Sequence, residues 1–270
     1  MSSTGNVDLY GNAYGHFSTN VLEQVRLETY GEDIGQSGWM TADEYRSFFQ
    51  YLRLHAQSNV LDICSGSGGP ALFMSRTTGC SVLGLDINES GVSNATSLVK
   101  SQGLQDRVAF QQADVSKQLP FGNSLFDAIV CIDAIIHLPD RLSVLKEFHR
   151  VLKPAGRILY TDPTIITGLV SKEEIAIRSS IGYFDFAAPG EDERLMKSAG
   201  FDVEISEDVT DNAVLVSRRW HDGRTTHQDE LMKIEGTETF QGLQRFLQVV
   251  HRLTSERRLS RFVFVAQKAG

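Results

Sequence analysis

The chain has 270 residues, 41% of them hydrophobic and 22% charged, with a formal net charge of −8. That length suits one large domain or a domain with an insertion; no apolar run is long enough to span a bilayer, and the acidic balance argues against a nucleic-acid binder, which presents a basic face. The N-terminus, Met1 to Asn6, lacks the basic and apolar regions of a secretion signal, and the odd set Cys64, Cys80 and Cys131, in or beside apolar runs without zinc spacing, reads as reduced thiols of a cytoplasmic protein.

Residues 1–20 are polar but carry Tyr10, Tyr14, His16 and Phe17. Aromatics at that density mark a segment that folds over something, either a substrate or the core. A short helix at about 20–29 leads into a glycine-punctuated loop from Tyr30 to Trp39. Thr41-Ala42-Asp43-Glu44 is a capping box. It predicts a helix to about Leu54, with Tyr45, Phe48, Phe49 and Leu52 on one face.

From Asn59 onward, apolar runs alternate with helical patterns. Strands are expected at about 59–63, 81–86, 108–111, 126–132, 157–161 and 201–206. Helices are expected at about 69–77, from Asn88 to Gly103, and from Arg141 to Leu152, where Lys153-Pro154 stops the turn. The alternation predicts an α/β fold with a doubly wound, parallel sheet. A last strand, Arg261 to Ala266, has no helix after it and is expected as a hairpin partner of the sixth. Two stretches, about 163–199 and 210–259, exceed a plain doubly wound domain. The second carries helical patterns at about 227–235 and 238–256, and helical insertions beside a ligand crevice form lids. The organisation read from this is a cap over 1–55, a core over 56–210, a helical lid over 211–259, and a final core strand over 260–270.

Ligands of open α/β sheets bind at the carboxyl ends of the strands. There the first strand meets a glycine turn, Cys64-Ser65-Gly66-Ser67-Gly68, and then a helix. Gly66, Gly68 and Ala71 loosely fit a dinucleotide fingerprint. Asp62 points the other way: a carboxylate repels a pyrophosphate and suits a cationic amine. Asp86 ends the second strand, twenty positions after Gly66, where it can accept both hydroxyls of a ribose or simply cap a helix. Asp114 follows the third strand and can accept from an adenine amine, while Val115 donates its backbone N–H to the ring. Three acidic residues at three consecutive strand ends are far more specific than any one of them.

Asp62 to Gly68 resembles the first motif of the class I methyltransferases that use S-adenosylmethionine (SAM), with Cys64-Ser65 where a glycine pair is usual. The runs Cys131 to Arg141, Arg150 to Arg157 and Tyr160 to Pro163 are similar to small-molecule N-methyltransferases, closest to the sarcosine/dimethylglycine and phosphoethanolamine enzymes. Those share an Asp-Ala-x-x-His run, matched by Asp133 to His137, and a Gly-Glu loop with a downstream Ser-Gly, matched by Gly31 to Ile34 and Ser37-Gly38. The resemblance covers about residues 25–205.

The resemblance implies a seven-stranded, mostly parallel sheet with an antiparallel last strand. It implies a methyltransferase using SAM and releasing S-adenosyl-L-homocysteine. The cofactor residues it implies are Ile34, Ser37, Asp62, Cys64, Gly66, Gly68, Asp86, Ile87, Asp114, Val115 and Ile132. It places catalysis on His137, Asp133 and an N-terminal tyrosine. That tyrosine is Tyr14 or Tyr10; Tyr14 is taken here, and Tyr10 joins Trp39, Tyr183 and Trp220 around the substrate. An amine must be neutral to attack, so His137 can accept its proton while Asp133 orients it. Otherwise His137 is a residue at a helix start, bonded to backbone. Pro163, Ile181 and Gly35 depart from the phosphoethanolamine pattern, which argues against a phosphorylated acceptor. Asp133 and His137 have no third partner at metal-ligand spacing, so no metal is expected.

The expected acceptor is thus a small molecule methylated on an amine nitrogen. Rival readings are O- or C-methylation of a natural-product scaffold, in a pocket of Trp39, Tyr183, Phe184, Phe186 and Trp220, and a SAM-binding protein without activity. An NAD-dependent dehydrogenase is disfavoured by Asp62 and Asp114. The helices at about 41–54 and 238–256 offer faces for a homo-oligomer, but nothing demands one.

Overall fold

A computed structural model describes residues 8–270, so the readings on Met1 to Asn6 lie outside the described residues. Helices α1 (Leu9–Gly15), α2 (Asn20–Tyr30) and α3 (Ala42–Leu52) precede the sheet. The sheet is built from β1 (Asn59–Ile63), β2 (Ser81–Asp86), β3 (Val108–Gln112), β4 (Phe126–Cys131), β5 (Leu152–Ile166), β6 (Phe201–Asp208) and β7 (Leu259–Lys268). Its order is β3-β2-β1-β4-β5-β7-β6. The first five strands pair parallel, and β7 lies antiparallel between β5 and β6. The crossovers are α4 (Gly69–Thr78), α5 (Glu89–Ser101) and α6 (Arg141–Val151). Between β5 and β6 come α7 (Lys172–Arg178) and α8 (Glu191–Ser198). Between β6 and β7 come α9 (Thr210–Thr226), α10 (Gln228–Glu235) and α11 (Thr237–Ser255).

Strand periodicity divides the core. Leu61, Ile63, Ile129 and Cys131 face one layer with Phe148 and Leu145. Their neighbours Val60, Ala128 and Val130 face the other, with Phe48, Phe49 and Leu72. Burial on both faces explains why these strands are continuously apolar. A third cluster joins Leu9, Trp39, Ile181, Val216, Leu243 and Phe246. It packs α1 against α9 and α11.

Four expectations are corrected. β7 pairs antiparallel with β6 as expected, but the pair is not a hairpin, because three helices separate its strands. Helix α9 is absent from the expected pattern. Its buried positions include Thr210, Ser217, Gly223 and Arg224, small or polar residues that hide its periodicity. The Thr41 box is half a box: Thr41 Oγ1 accepts from Glu44 N–H, but the Glu44 carboxylate turns inward to Arg261. The reciprocal box is Ser171 with Glu174, which starts α7. β5 is also longer than expected. It begins where α6 ends, and it tolerates Pro154 at a register shift beside β4, where Ala155 has φ 59°.

Candidate functional site

The glycine turn needs its glycines. Gly66 and Gly68 have φ of 55° and 80°. A Cβ on Gly66 would stand 2.6 Å from Tyr14 Oη. The Asp86 carboxylate fixes this turn to the end of β2. Gly66 N–H donates to its Oδ2 at 2.8 Å and Asn88 N–H to its Oδ1 at 2.8 Å. Asp62 behaves differently. It is 5% exposed and receives no hydrogen bond among the described residues. Burial, with the Asp86 charge adding to it, pushes its carboxyl up to about 7. Ser65 and Ser67 also bury hydroxyls without partners.

Two cavities meet over these residues. A smaller one, about 60 Å³, is lined by Asp62, Gly66, Ser67, Tyr45 and Met40 among others. A larger one, about 290 Å³, runs from Asp86, Ile87 and Asn88 to His137, Trp39, Phe184, Trp220 and Phe246. Tyr14, Ser37, Gly38, Cys64 and Ile132 border both. Ile87, 66% exposed, offers an apolar face at the rim. Asp114, Val115 and Ile34 border neither cavity. Asp114 accepts from Ser116 N–H and Oγ–H at 3.0 and 2.5 Å, which holds its carboxyl below the usual range. Val115 is buried in the core. Ile34 presents its carbonyl to Gly69, where a Cβ would collide with it.

His137 ends a single 3₁₀ turn, Ile135–His137, that follows Asp133 in its left-handed backbone conformation (φ 54°). Its Nδ1 lies 2.8 Å from the Tyr183 carbonyl. A carbonyl only accepts, so Nδ1 carries the proton and Nε2 keeps a lone pair. That lone pair accepts the Tyr10 hydroxyl at 2.8 Å. Burial brings the imidazole down to about 4, so it is neutral at neutral pH.

The structure redistributes the expected roles. Tyr10, not Tyr14, reaches His137: the two are one helical turn apart, and Tyr14 stands over Gly66 instead. Asp133 is not free to hold an amine. Its Oδ1 accepts from Arg261 Nε at 2.7 Å and Thr161 Oγ1 at 2.8 Å, and its Oδ2 accepts from Trp39 N–H at 2.7 Å. Tyr183 turns its ring outward, 56% exposed, and contributes its carbonyl; Phe184 takes the wall position. Trp39 and Trp220 do line the cavity, 5.9 Å apart between ring centroids. Phe246 and Arg178 complete the wall without having been expected. The Ser171-Lys172-Glu173-Glu174 box was the available signal for α7, the helix that carries Arg178, because it sets where that helix starts. Among the described residues no cluster of His, Cys, Asp or Glu could hold a metal ion.

A family described as "methyltransferase domain" matches residues 60–156. Maize phosphoethanolamine N-methyltransferase 1 is 30% identical over 217 residues, covering 80% of this chain and 41% of that protein. The 27-O-demethylrifamycin SV methyltransferase of Amycolatopsis mediterranei is 31% identical over 162 residues, covering 59% of each. The chain therefore spans less than two thirds of the length of these curated relatives. Among solved structures, a putative sarcosine dimethylglycine methyltransferase from Galdieria sulphuraria shares the fold, with TM-score 0.77, 23% identity and 84% coverage of both chains. So does Haemonchus contortus phosphoethanolamine N-methyltransferase 2, solved with phosphomonomethylethanolamine and S-adenosylhomocysteine, at TM-score 0.79, 19% identity, and coverage of 100% of this chain and 61% of that one. On these matches, residues 60–156 of this chain are similar to a methyltransferase domain, and the two curated relatives are methyltransferases.

Proposed function

We propose that the chain transfers a methyl group from SAM to an oxygen of a small-molecule acceptor with an apolar body. The observation that carries this is the neutral His137 imidazole facing the same cavity as the Asp86-anchored glycine turn. The site fits the cofactor on its own terms. The unpartnered Asp62 suits the ligand's ammonium, Asp86 its ribose, and the exposed Ile87 side chain one face of its adenine. SAM, when bound, supplies a methyl group made electrophilic by its sulfonium.

The chain's own residues then have three tasks. The aromatic wall and the lid helices exclude water and fix the acceptor. His137 Nε2 takes the proton of the acceptor hydroxyl, directly or along the Tyr10 hydroxyl. The Nδ1–H bond to the Tyr183 carbonyl supports the imidazolium so formed. No metal ligand set is asked for in this scheme.

An amine acceptor is the second reading. The Asp133-to-His137 run shared with N-methyltransferases favours it, while the engagement of both Asp133 oxygens and the aromatic wall favour the hydroxyl. Calorimetric titration with S-adenosylhomocysteine, with NADH as control, tests the cofactor. Micromolar binding of the first alone is expected; binding of NADH alone would end the proposal. A screen of hydroxyl against amine acceptors then separates the two readings.

A further inference from the structure

Five arginines are buried among the described residues, and four have a carboxylate. Arg141 pairs with Asp162 and Asp192, Arg157 with Glu204, Arg224 with Glu235, and Arg261 with Asp133 and Glu44. Arg178 is the exception. It is 1% exposed, its Nε has no partner, and its guanidinium makes neither a hydrogen bond nor an ion pair among the described residues. It lines the larger cavity with His137. Its guanidinium carbon lies 4.4 Å from the Phe184 ring centroid, 5.2 Å from that of Phe246 and 5.8 Å from that of Trp39.

An unpaired buried charge is expensive, because its hydration is lost and nothing replaces it. Stacking on ring faces recovers part of that loss. It also leaves the in-plane N–H fork of the guanidinium to bind an anion side-on. Burial brings Arg178 down to about 10, so it is still protonated at neutral pH.

We propose that Arg178 is a subsite for one carboxylate on the acceptor, whose apolar body lies against Phe184, Phe246 and Trp39. This deepens the methyl-transfer reading and rests on it. A carboxylate is favoured over a phosphate because a phosphate dianion wants a second cation. The cavity lining supplies none: apart from Arg178 its basic residue is His137, which is neutral. The carboxylate of the cofactor itself is a poorer match, since Arg178 does not border the smaller cavity that holds Asp62.

The test uses the full chain and matched probes: benzoate, 3-phenylpropanoate and octanoate, each against its own amide, titrated with S-adenosylhomocysteine present. At least one acid should bind tenfold or more tighter than its amide. Arg178→Met should abolish that preference, Arg178→Lys should keep part of it, and S-adenosylhomocysteine affinity should stay within twofold in both. Thermal denaturation of Arg178→Met without ligand separates a binding role from a structural one: an unchanged or raised midpoint is expected, since an unpaired buried charge has been removed. Equal binding of acid and amide, no binding of any acid, a preference surviving in Arg178→Met, or a lost S-adenosylhomocysteine affinity in that variant would each overturn the proposal. If the acids bind through Arg178 while S-adenosylhomocysteine does not bind at all, the methyl-transfer reading fails and the anion subsite stands.

Discussion

Arg261 reaches from β7 to Asp133, donating from Nε to Oδ1 at 2.7 Å, and its Nη1 donates to Glu44 of α3 at 2.7 Å. One guanidinium thus ties the last strand, the loop after β4 and a helix before the sheet. All three side chains are buried. Removing the cation would leave two carboxylates buried without it. Burial already pushes the Glu44 carboxyl up against the opposing pull of Arg261. Arg261→Met should therefore cost about 3–5 kcal/mol in urea unfolding. Adding Glu44→Gln should return part of the loss, and a single-variant loss under about 1 kcal/mol would remove this triad as a structural clamp.

His137→Ala should lower turnover by roughly 10²–10⁴, the range for a lost general base, with S-adenosylhomocysteine affinity within twofold of wild type. Tyr10→Phe should act in the same sense but more weakly, because the Nε2 lone pair survives. Tyr14→Phe should move cofactor affinity instead, since Tyr14 stands over Gly66. Single-turnover rates measured beside calorimetric affinities separate these. Wild-type turnover in His137→Ala would remove the base assignment.

Asp62 gives a pH signature. Its folded-state carboxyl, at about 7, lies above the unfolded value near 4, so the folded state binds the proton more tightly. The resulting stability is fully present below pH 4 and is lost as pH rises through about 7. At about 1.36 kcal/mol per unit, the swing approaches about 4 kcal/mol as an upper bound. The ligand-free protein should lose thermal stability between pH 5 and 8, and Asp62→Asn should flatten that slope. Parallel slopes in the two proteins would contradict it. A ligand ammonium favours the carboxylate, so S-adenosylhomocysteine binding near pH 7 should release protons, read as a buffer-dependent binding enthalpy.

Asp86 holds the glycine turn through two backbone amides. Each charge-assisted bond contributes about 1.5–3 kcal/mol. Asp86→Ala should weaken S-adenosylhomocysteine binding roughly 10- to 100-fold, with turnover at saturation changing much less. An unchanged dissociation constant would mean that the carboxylate serves the turn alone.

What the sequence determined by itself was local or periodic. Val60, Leu61 and Ile63 announced a strand buried on both faces, and β1 lies inside the sheet between β2 and β4. Glycines at 66 and 68 announced a turn, and in the structure both have positive φ. Asp62 and Asp86 fell at strand ends, and strand ends are where an open α/β sheet binds. The tertiary structure decided who faces whom. Tyr10 and Tyr14 share a helix face, and only the packing of α1 against α5 chose which meets His137. Asp133 looked like a free carboxylate because its cation, Arg261, lies 128 residues away. Arg178 carries no local signal in the sequence, and its isolation appears only when every neighbour is known. A side chain's type and its place on an element are set by adjacent residues. Its charge partner, its hydration and therefore its chemistry are set by chain segments that only folding brings together.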